Sequence, residues 1–395
     1  MKKCIYSFAL LLVTFILQGQ VTIDRSKAPS PGPARTPTIA SYESFELKNG
    51  LKVFVVEDHK LPRISISLIL DIDPIVEGDK AGYVEIAGSL IGAGTKSRTK
   101  AQLDEEVDFM GANFSTSTSS IRTSGLSKYT DNLINILSDV LLNPSFPEDE
   151  FTKLKSQMTS ALKSNSDNVD GISSSLTRSA IYGLQHPFGE IMTDGSVDAV
   201  TLEDCKSYFE TYFRPNIAYM VLIGDITLKD AKKKVGKALK KWKSNEVSSH
   251  KYAKTELPQG SRIVMVDKPS AVQSVVWLGN VIDLPQGHPD IEPLRIANKI
   301  LGGGMSGRLF LNLREEKGLT YGAYSNFGVD QLNSTFSASA KVRNEVTDSA
   351  IVEFLHELNT IRTVKVSKKD IVAVSYTHLR AHETPEHLVC RLLLE

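Results

Sequence analysis

The 395-residue chain has no surplus of charge: lysine plus arginine and aspartate plus glutamate each total 46. That balance removes the usual reason to expect a nucleic acid or an anionic membrane as partner. Cysteine is scarce, with three in all. Cys4 lies in the first residues and Cys390 in the last, so Cys205 stands alone between them. A disulfide framework and a cysteine-based metal site are both excluded. Long hydrophobic runs are missing too. Ile5–Leu17 is an apolar stretch of about a dozen residues, short of the roughly 20 that span a bilayer as a helix. Lys2 and Lys3 precede it, and Gln18, Gly19 and Gln20 break it. A positive start, a short apolar core and a small, polar end read as a secretory signal peptide over residues 1–20. The mature chain is then exported and carries no span, and Cys4 leaves with the signal.

What is present is enough apolar content, 41%, for two domains each with a sizeable core. Residues 21–40, with Pro29, Pro31, Pro33 and Pro37, form an extended lead-in. Tyr42–Leu47, the pair Asn49-Gly50 and Leu51–Val56 form a strong hairpin signal, and Ile64–Leu70 reads as a further strand. Helical spacing appears at 81–91, which Gly92-Ala93-Gly94 stops, and at 101–110, 129–142, 148–164 and 202–213. Ala218–Ile223 is a strand closed by Gly224-Asp225. Residues 229–242 form a lysine-rich helix whose basic run is a solvated face. Residues 244–260 are polar and read as a linker.

The pattern then repeats. Gly50–Val56 (GLKVFVV) matches Gly260–Val266 (GSRIVMV), and Leu90–Gly94 (LIGAG) matches Ile300–Gly304 (ILGGG). Gly50 to Gly260 and Leu90 to Ile300 are both steps of 210 residues. Two matches at one offset, in the same order of strand, strand, helix and glycine turn, predict a duplicated domain. The first copy occupies 41–243 and the second 261–374. Residues 375–395 break the character of the chain: three of the eight histidines fall there, and Pro385 interrupts any helix. The segment resembles a translated sequencing-adapter read-through, so it reads as a non-native tail and the second copy as truncated.

The tail holds a decoy. His382, Glu383 and His387 give H-E-x-x-x-H, one residue longer than the spacing that puts two imidazoles on one helix face. His59, His186, His250, His288 and His356 have no partner at ligand spacing and read as structural or solvated. Gly302–Arg308 (GGGMSGR) lacks the lysine and hydroxyl of a phosphate loop and follows a helix rather than a strand. A turn needing glycine at positive φ accounts for it better.

Five segments, Asn49-Gly50-Leu51, Gly82–Thr95, Gln185–Gly189, Tyr212–Asn216 with Gly224-Asp225, and Gly302–Tyr321, resemble in order and spacing the insulinase/pitrilysin family of zinc peptidases, which includes mitochondrial processing peptidase and two-chain bacterial relatives. The resemblance covers about residues 40–374. It implies an α+β fold of two homologous domains, each an antiparallel-rich sheet flanked by helices.

Active members carry H-x-x-E-H, two imidazoles one helical turn apart with a carboxylate that deprotonates the metal-bound water. Anchored on Gly82 and Gly94-Thr95, this chain has Glu85, Gly88 and Ser89 at those places. The third ligand, a glutamate on a later helix, falls near Ser160 or Ala161, and no carboxylate occurs between Thr152 and Ser166. No metal is therefore expected on this chain. The second half does match the family's arginine/tyrosine pair seven residues apart, as Arg314 and Tyr321, which in the family lies across the cavity from zinc and holds the scissile carbonyl.

From the residues alone, Arg314 is an ordinary solvated helix end and Tyr321 an ordinary strand residue. The resemblance implies instead the zinc-free subunit of an exported, bacterial periplasmic two-chain metallopeptidase. This subunit is not expected to act alone and would supply Arg314 and Tyr321 to a site whose zinc sits on an H-x-x-E-H partner. An unfolded peptide is the expected substrate. The alternative is a non-enzymatic scaffold or peptide-binding member of the family.

Overall fold

The computed structural model describes residues 41–252, 255, 260–368, 370, 371 and 374. The expected signal peptide, the lead-in and the tail with its decoy histidines lie outside them.

The first half is built on β1 (Glu43–Glu46), β2 (Lys52–Glu57), β3 (Arg63–Leu70), β4 (Asn113–Thr116), β5 (Ser120–Leu126) and β6 (Ala218–Gly224). Their order in the sheet is β1-β2-β6-β3-β5-β4, and β2–β6 is the parallel pair in it. Gly50, at φ +91°, lets the chain reverse between β1 and β2, a left-handed conformation that only glycine adopts freely. Asn49 does more than turn the chain. Its Nδ2 donates to the carbonyls of Leu239 (3.1 Å) and Trp242 (2.9 Å), satisfying orphan acceptors at a helix end.

Alternation along the strands buries Val53 and Val55, then Ile64, Ile66, Leu68 and Leu70, then Met220 and Leu222. The period of two puts these on one face. The opposite face leaves Tyr219 and Ile223 exposed.

The helices of this half are α1 (Tyr83–Leu90), α2 (Lys100–Phe109), α3 (Thr130–Leu142), α4 (Glu148–Asp167), α5 (Val169–Tyr182), α6 (Asp194–Ala199), α7 (Leu202–Tyr212) and α8 (Leu228–Leu239), and all but α5 add buried apolar residues to the core on the apolar face. Thr99, Thr193 and Thr201 each close a capping box at a helix start. Such a cap contributes about 1 kcal/mol. The lysine-rich helix is solvated on one face as expected, because α8 buries Ala231, Val235 and Leu239 at four-residue steps and turns its lysines outward.

The second half has β7 (Gln273–Ile282), α9 (Ile291–Leu301), α10 (Arg308–Phe310) running into a π-helical turn Leu311–Glu316, β8 (Thr320–Gly328), β9 (Ser334–Arg343) and α11 (Thr347–Thr363). Its strands lie in the order β7-β9-β8, all antiparallel. Chain order and sheet order both reproduce β3-β5-β4 of the first half, with α9 in the place of α1.

One expected repeat is not realised. Gly260–Val266, the counterpart of β2, forms no strand, and Ile263 and Met265 are 88% and 85% exposed. In the first half β2 pairs on both sides, with β1 and β6. No described strand stands in those places here, and a strand exists only as far as its ladder does.

The halves meet where α5 packs on β7. His186, 6% exposed, lies at this seam with its Nε2 3.2 Å from Asn333 Nδ2. The ring stacks on Tyr182 (5.2 Å) and is flanked by Phe188 and Tyr252. Two ion pairs, Asp170–Lys341 at 2.6 Å and Asp167–Lys268 at 3.8 Å, sit at the exposed margin, where such pairs contribute little.

Candidate functional site

Helix α1 presents Glu85, Gly88 and Ser89, the three positions that the resemblance sets against the family's H-x-x-E-H. Glu85 and Ser89 are exposed one turn apart, whereas Gly88 is buried. Glu77 fixes the start of the helix: its Oε2 accepts from the backbone N–H of Gly82 (2.9 Å) and Val84 (3.0 Å). Burial pushes the Glu77 carboxyl above its ordinary range, against these two backbone donors and with the help of Glu190 and Glu85.

The space beside Gly88 is filled. A Cβ there would lie 2.5 Å from Thr118 N and 2.7 Å from the Ser117 carbonyl carbon, both backbone atoms of the turn between β4 and β5. That turn is held in place. Ser117 N donates to Ser120 O (2.8 Å), and Tyr208, buried on α7, donates its hydroxyl to Thr118 O (2.8 Å). Only glycine lets the turn and the helix approach so closely. Across from α1, Ser160 and Ala161 are exposed on α4. Among the described residues no group of three His, Cys, Asp or Glu is placed to hold a metal ion. One carboxylate, one hydroxyl and a blocked glycine do not fit zinc, which takes three protein ligands in its catalytic sites.

In the second half, Arg314 and Tyr321 lie on adjoining elements, the π-helical turn and β8, which pack together. The Arg314 guanidinium sits 4.8 Å over the Phe310 ring and 3.5 Å from Glu315. The turn beneath it is anchored to α11. Asn312, 8% exposed, donates Nδ2 to Glu353 (3.0 Å) and Glu357 (2.8 Å), and Lys317 pairs with Glu353. Lys317 first and Asn312 second hold the Glu353 carboxyl below its ordinary range. Sequence reasoning missed this anchor. Its signal was there, as Glu353 and Glu357 are four residues apart and share a helix face.

Tyr321 stands on a β-bulge. Thr320 pairs with Val342 and Ala323 with Ala340, so Tyr321 and Gly322 together oppose one residue of β9. Thr320 Oγ1 pins the irregularity, donating to Lys341 O (2.6 Å) and accepting from Gly322 N (3.2 Å). A bulge re-aims a side chain. Tyr321 is 86% exposed and its hydroxyl makes no hydrogen bond within the described residues. Nothing in the described residues joins the pair to Glu85 or Ser89.

Gly302–Gly304 differs from expectation. Neither these glycines nor Gly307 has positive φ. They are needed for close approach: a Cβ would lie 2.6 Å from Ser325 N at Gly302, and 2.8 Å from Lys299 Cα at Gly303. His250 bonds to the Tyr212 hydroxyl (2.9 Å), and His59 to Asp225 (2.7 Å). Cys205 is fully buried, with its thiol pushed up to about 12 by desolvation, which makes it inert.

Two family models match this chain. Residues 53–194 match "Insulinase (Peptidase family M16)" and residues 199–374 match "Peptidase M16 inactive domain". The chain belongs to the insulinase family. It is 28% identical to the "Uncharacterized zinc protease YmxG" of Bacillus subtilis over 59% of its own length, and it spans 56% of that relative. It is 25% identical to the "Non-peptidase homolog YmxG" of Helicobacter pylori, over 71% of this chain and 66% of that one. Among solved structures, the peptidase M16 inactive domain from Pseudomonas fluorescens superposes with a TM-score of 0.77 at 21% identity, covering 89% of this chain and 86% of the other. The periplasmic protease PqqL of Escherichia coli superposes with a TM-score of 0.67 at 17% identity over 91% of this chain and 43% of that one. Identities this low carry the fold alone.

Proposed function

We propose that this chain is the zinc-free subunit of an exported two-chain peptidase. It lends Arg314 and Tyr321 to a peptide-cleaving site whose metal is held by an H-x-x-E-H partner. The observation that carries this reading is Tyr321, an 86% exposed phenol set out on an edge-strand bulge with its hydroxyl unused. An ordinary strand residue has no need of that bulge. A guanidinium and a phenol are both hydrogen-bond donors, and both stabilise negative charge developing on a scissile carbonyl oxygen. Phe310 holds the guanidinium from beneath by a cation–π contact, and the α11 anchor fixes the turn that carries it. The periplasmic location of one structural neighbour supports export.

The test uses a quenched fluorescent peptide cleaved by this chain, by its H-x-x-E-H partner, and by the mixture. Activity is expected only in the mixture. Tyr321→Phe and Arg314→Ala should each lower kcat about 100-fold, the scale of one lost oxyanion donor. The blocked α1 also suits a second reading, a peptide-binding or scaffold member. A partner fully active alone, and unmoved by this chain, would establish that reading instead.

A further inference from the structure

A cleft of about 700 Å³ opens in the second half between α9, the Gly302–Gly304 loop and β8. Its cations are Arg295 and Lys299, and none of its lining residues is acidic. The two are four residues apart on α9, so they share a helix face and repel one another. Lys299 is half-buried, and its ammonium uses one donor on Gly303 O at 2.6 Å, leaving two free. Arg295 pairs with Glu292 at 2.9 Å, an exposed contact outside the lining of the kind that is weak.

The lining also includes Tyr324 of β8, whose ring lies 5.9 Å from that of Phe310, and Phe310 carries the Arg314 guanidinium. The cleft therefore adjoins Arg314 through two aromatic rings. The close-approach glycines keep its floor free of side chains, so that an extended backbone can pass.

We propose that this cleft is a specificity subsite that takes an acidic side chain of a bound peptide between Arg295 and Lys299. It rests on the reading that this face of the second half meets peptide. A carboxylate there relieves the repulsion along α9 and forms charge-assisted hydrogen bonds.

The test is fluorescence anisotropy on this chain alone, with no partner and no cleavage, so its outcome is separate from that of the two-chain reading. The probes are fluorescein-labelled, unstructured nonapeptides with a central Glu and an amidated C-terminus, a central Gln and an amidated C-terminus, or a central Gln and a free C-terminus. At low salt the Glu peptide should bind about tenfold tighter than either Gln peptide, and the difference should shrink as salt rises. Arg295→Gln, an exposed change that leaves the fold intact, should lower the preference several-fold, and adding Lys299→Gln should erase it. Equal binding of Glu and Gln peptides would overturn the proposal, as would a preference that survives the double variant. So would tight binding confined to the free C-terminus, which would place the chain end rather than a side chain in the cleft.

Discussion

The two halves share the order of three strands, β3-β5-β4 and β7-β9-β8, and differ in how they treat their candidate positions. In the first half the β4–β5 turn is driven against α1 at Gly88, and Tyr208 locks it there. The place that the resemblance sets against the family's metal motif is part of the packing here. In the second half, β8 lies at the edge of the described sheet, bulged at Tyr321, and the candidates Arg314 and Tyr321 are exposed. A helix filled from the side cannot regain a site by side-chain replacement alone, whereas an exposed pair can be gained or lost with little structural consequence.

The sharpest way to break this contrast is at Gly88. Gly88→Ala should lower stability by about 2–3 kcal/mol, because its Cβ meets rigid backbone rather than the end of a flexible side chain. Urea unfolding measures it, as a lower midpoint at constant slope. Glu85→His and Ser89→His, on the exposed face, should each stay within about 0.5 kcal/mol. The triple change Glu85→His, Gly88→Glu, Ser89→His should bind no zinc by equilibrium dialysis. A neutral Gly88→Ala would mean that the turn yields, and the filled-site account would fall.

The seam offers a second, smaller test. Burial lowers the His186 pKa below its ordinary 6.5, against the opposing field of Asp330. The folded protein therefore refuses a proton that the unfolded chain takes up near pH 6.5. The neutral ring's contribution is complete above that value and is lost as pH falls below it. Tyr182 and Tyr252 face the same ring, and neither titrates in that range. The urea midpoint should drop between pH 7.5 and 5.5 in the wild type, and drop less in His186→Gln. Equal drops would remove His186 from the account.

Much of the first half was legible because its signals are local. Asn49-Gly50 fixes a hairpin, and Ile64–Leu70 opens with an Ile/Ser alternation. The β4–β5 hairpin was not legible. Residues 113–126 (NFSTSTSSIRTSGL) are rich in serine and threonine, which serve loops as readily as strands. Helix α5 hides behind three consecutive serines for a related reason. At the candidate site, the residue types at 85, 88 and 89 could be read from the chain, but the blockage could not. It depends on Thr118, thirty residues away, which meets Gly88 only after folding. The GSRIVMV segment failed in the other direction: its residues have strand character, but no neighbour among the described residues supplies the ladder.

The smallest expected effect is the most discriminating. Arg314→Ala and Tyr321→Phe should change stability by no more than about 0.5 kcal/mol, since Tyr321 is 86% exposed and its hydroxyl bonds to nothing described, and surface changes fall in that range. The same variants should lower kcat of the two-chain mixture about 100-fold. Asn312→Leu should behave differently, because it leaves Glu353 and Glu357 without their buried donor and loosens the turn under Arg314. It should reduce both stability and activity, the loss of stability being about 1–3 kcal/mol. If Arg314→Ala instead destabilises as Asn312→Leu does, the guanidinium is holding Phe310 and the turn together. The second half would then be as structural as the first, and the division of labour between the halves would disappear.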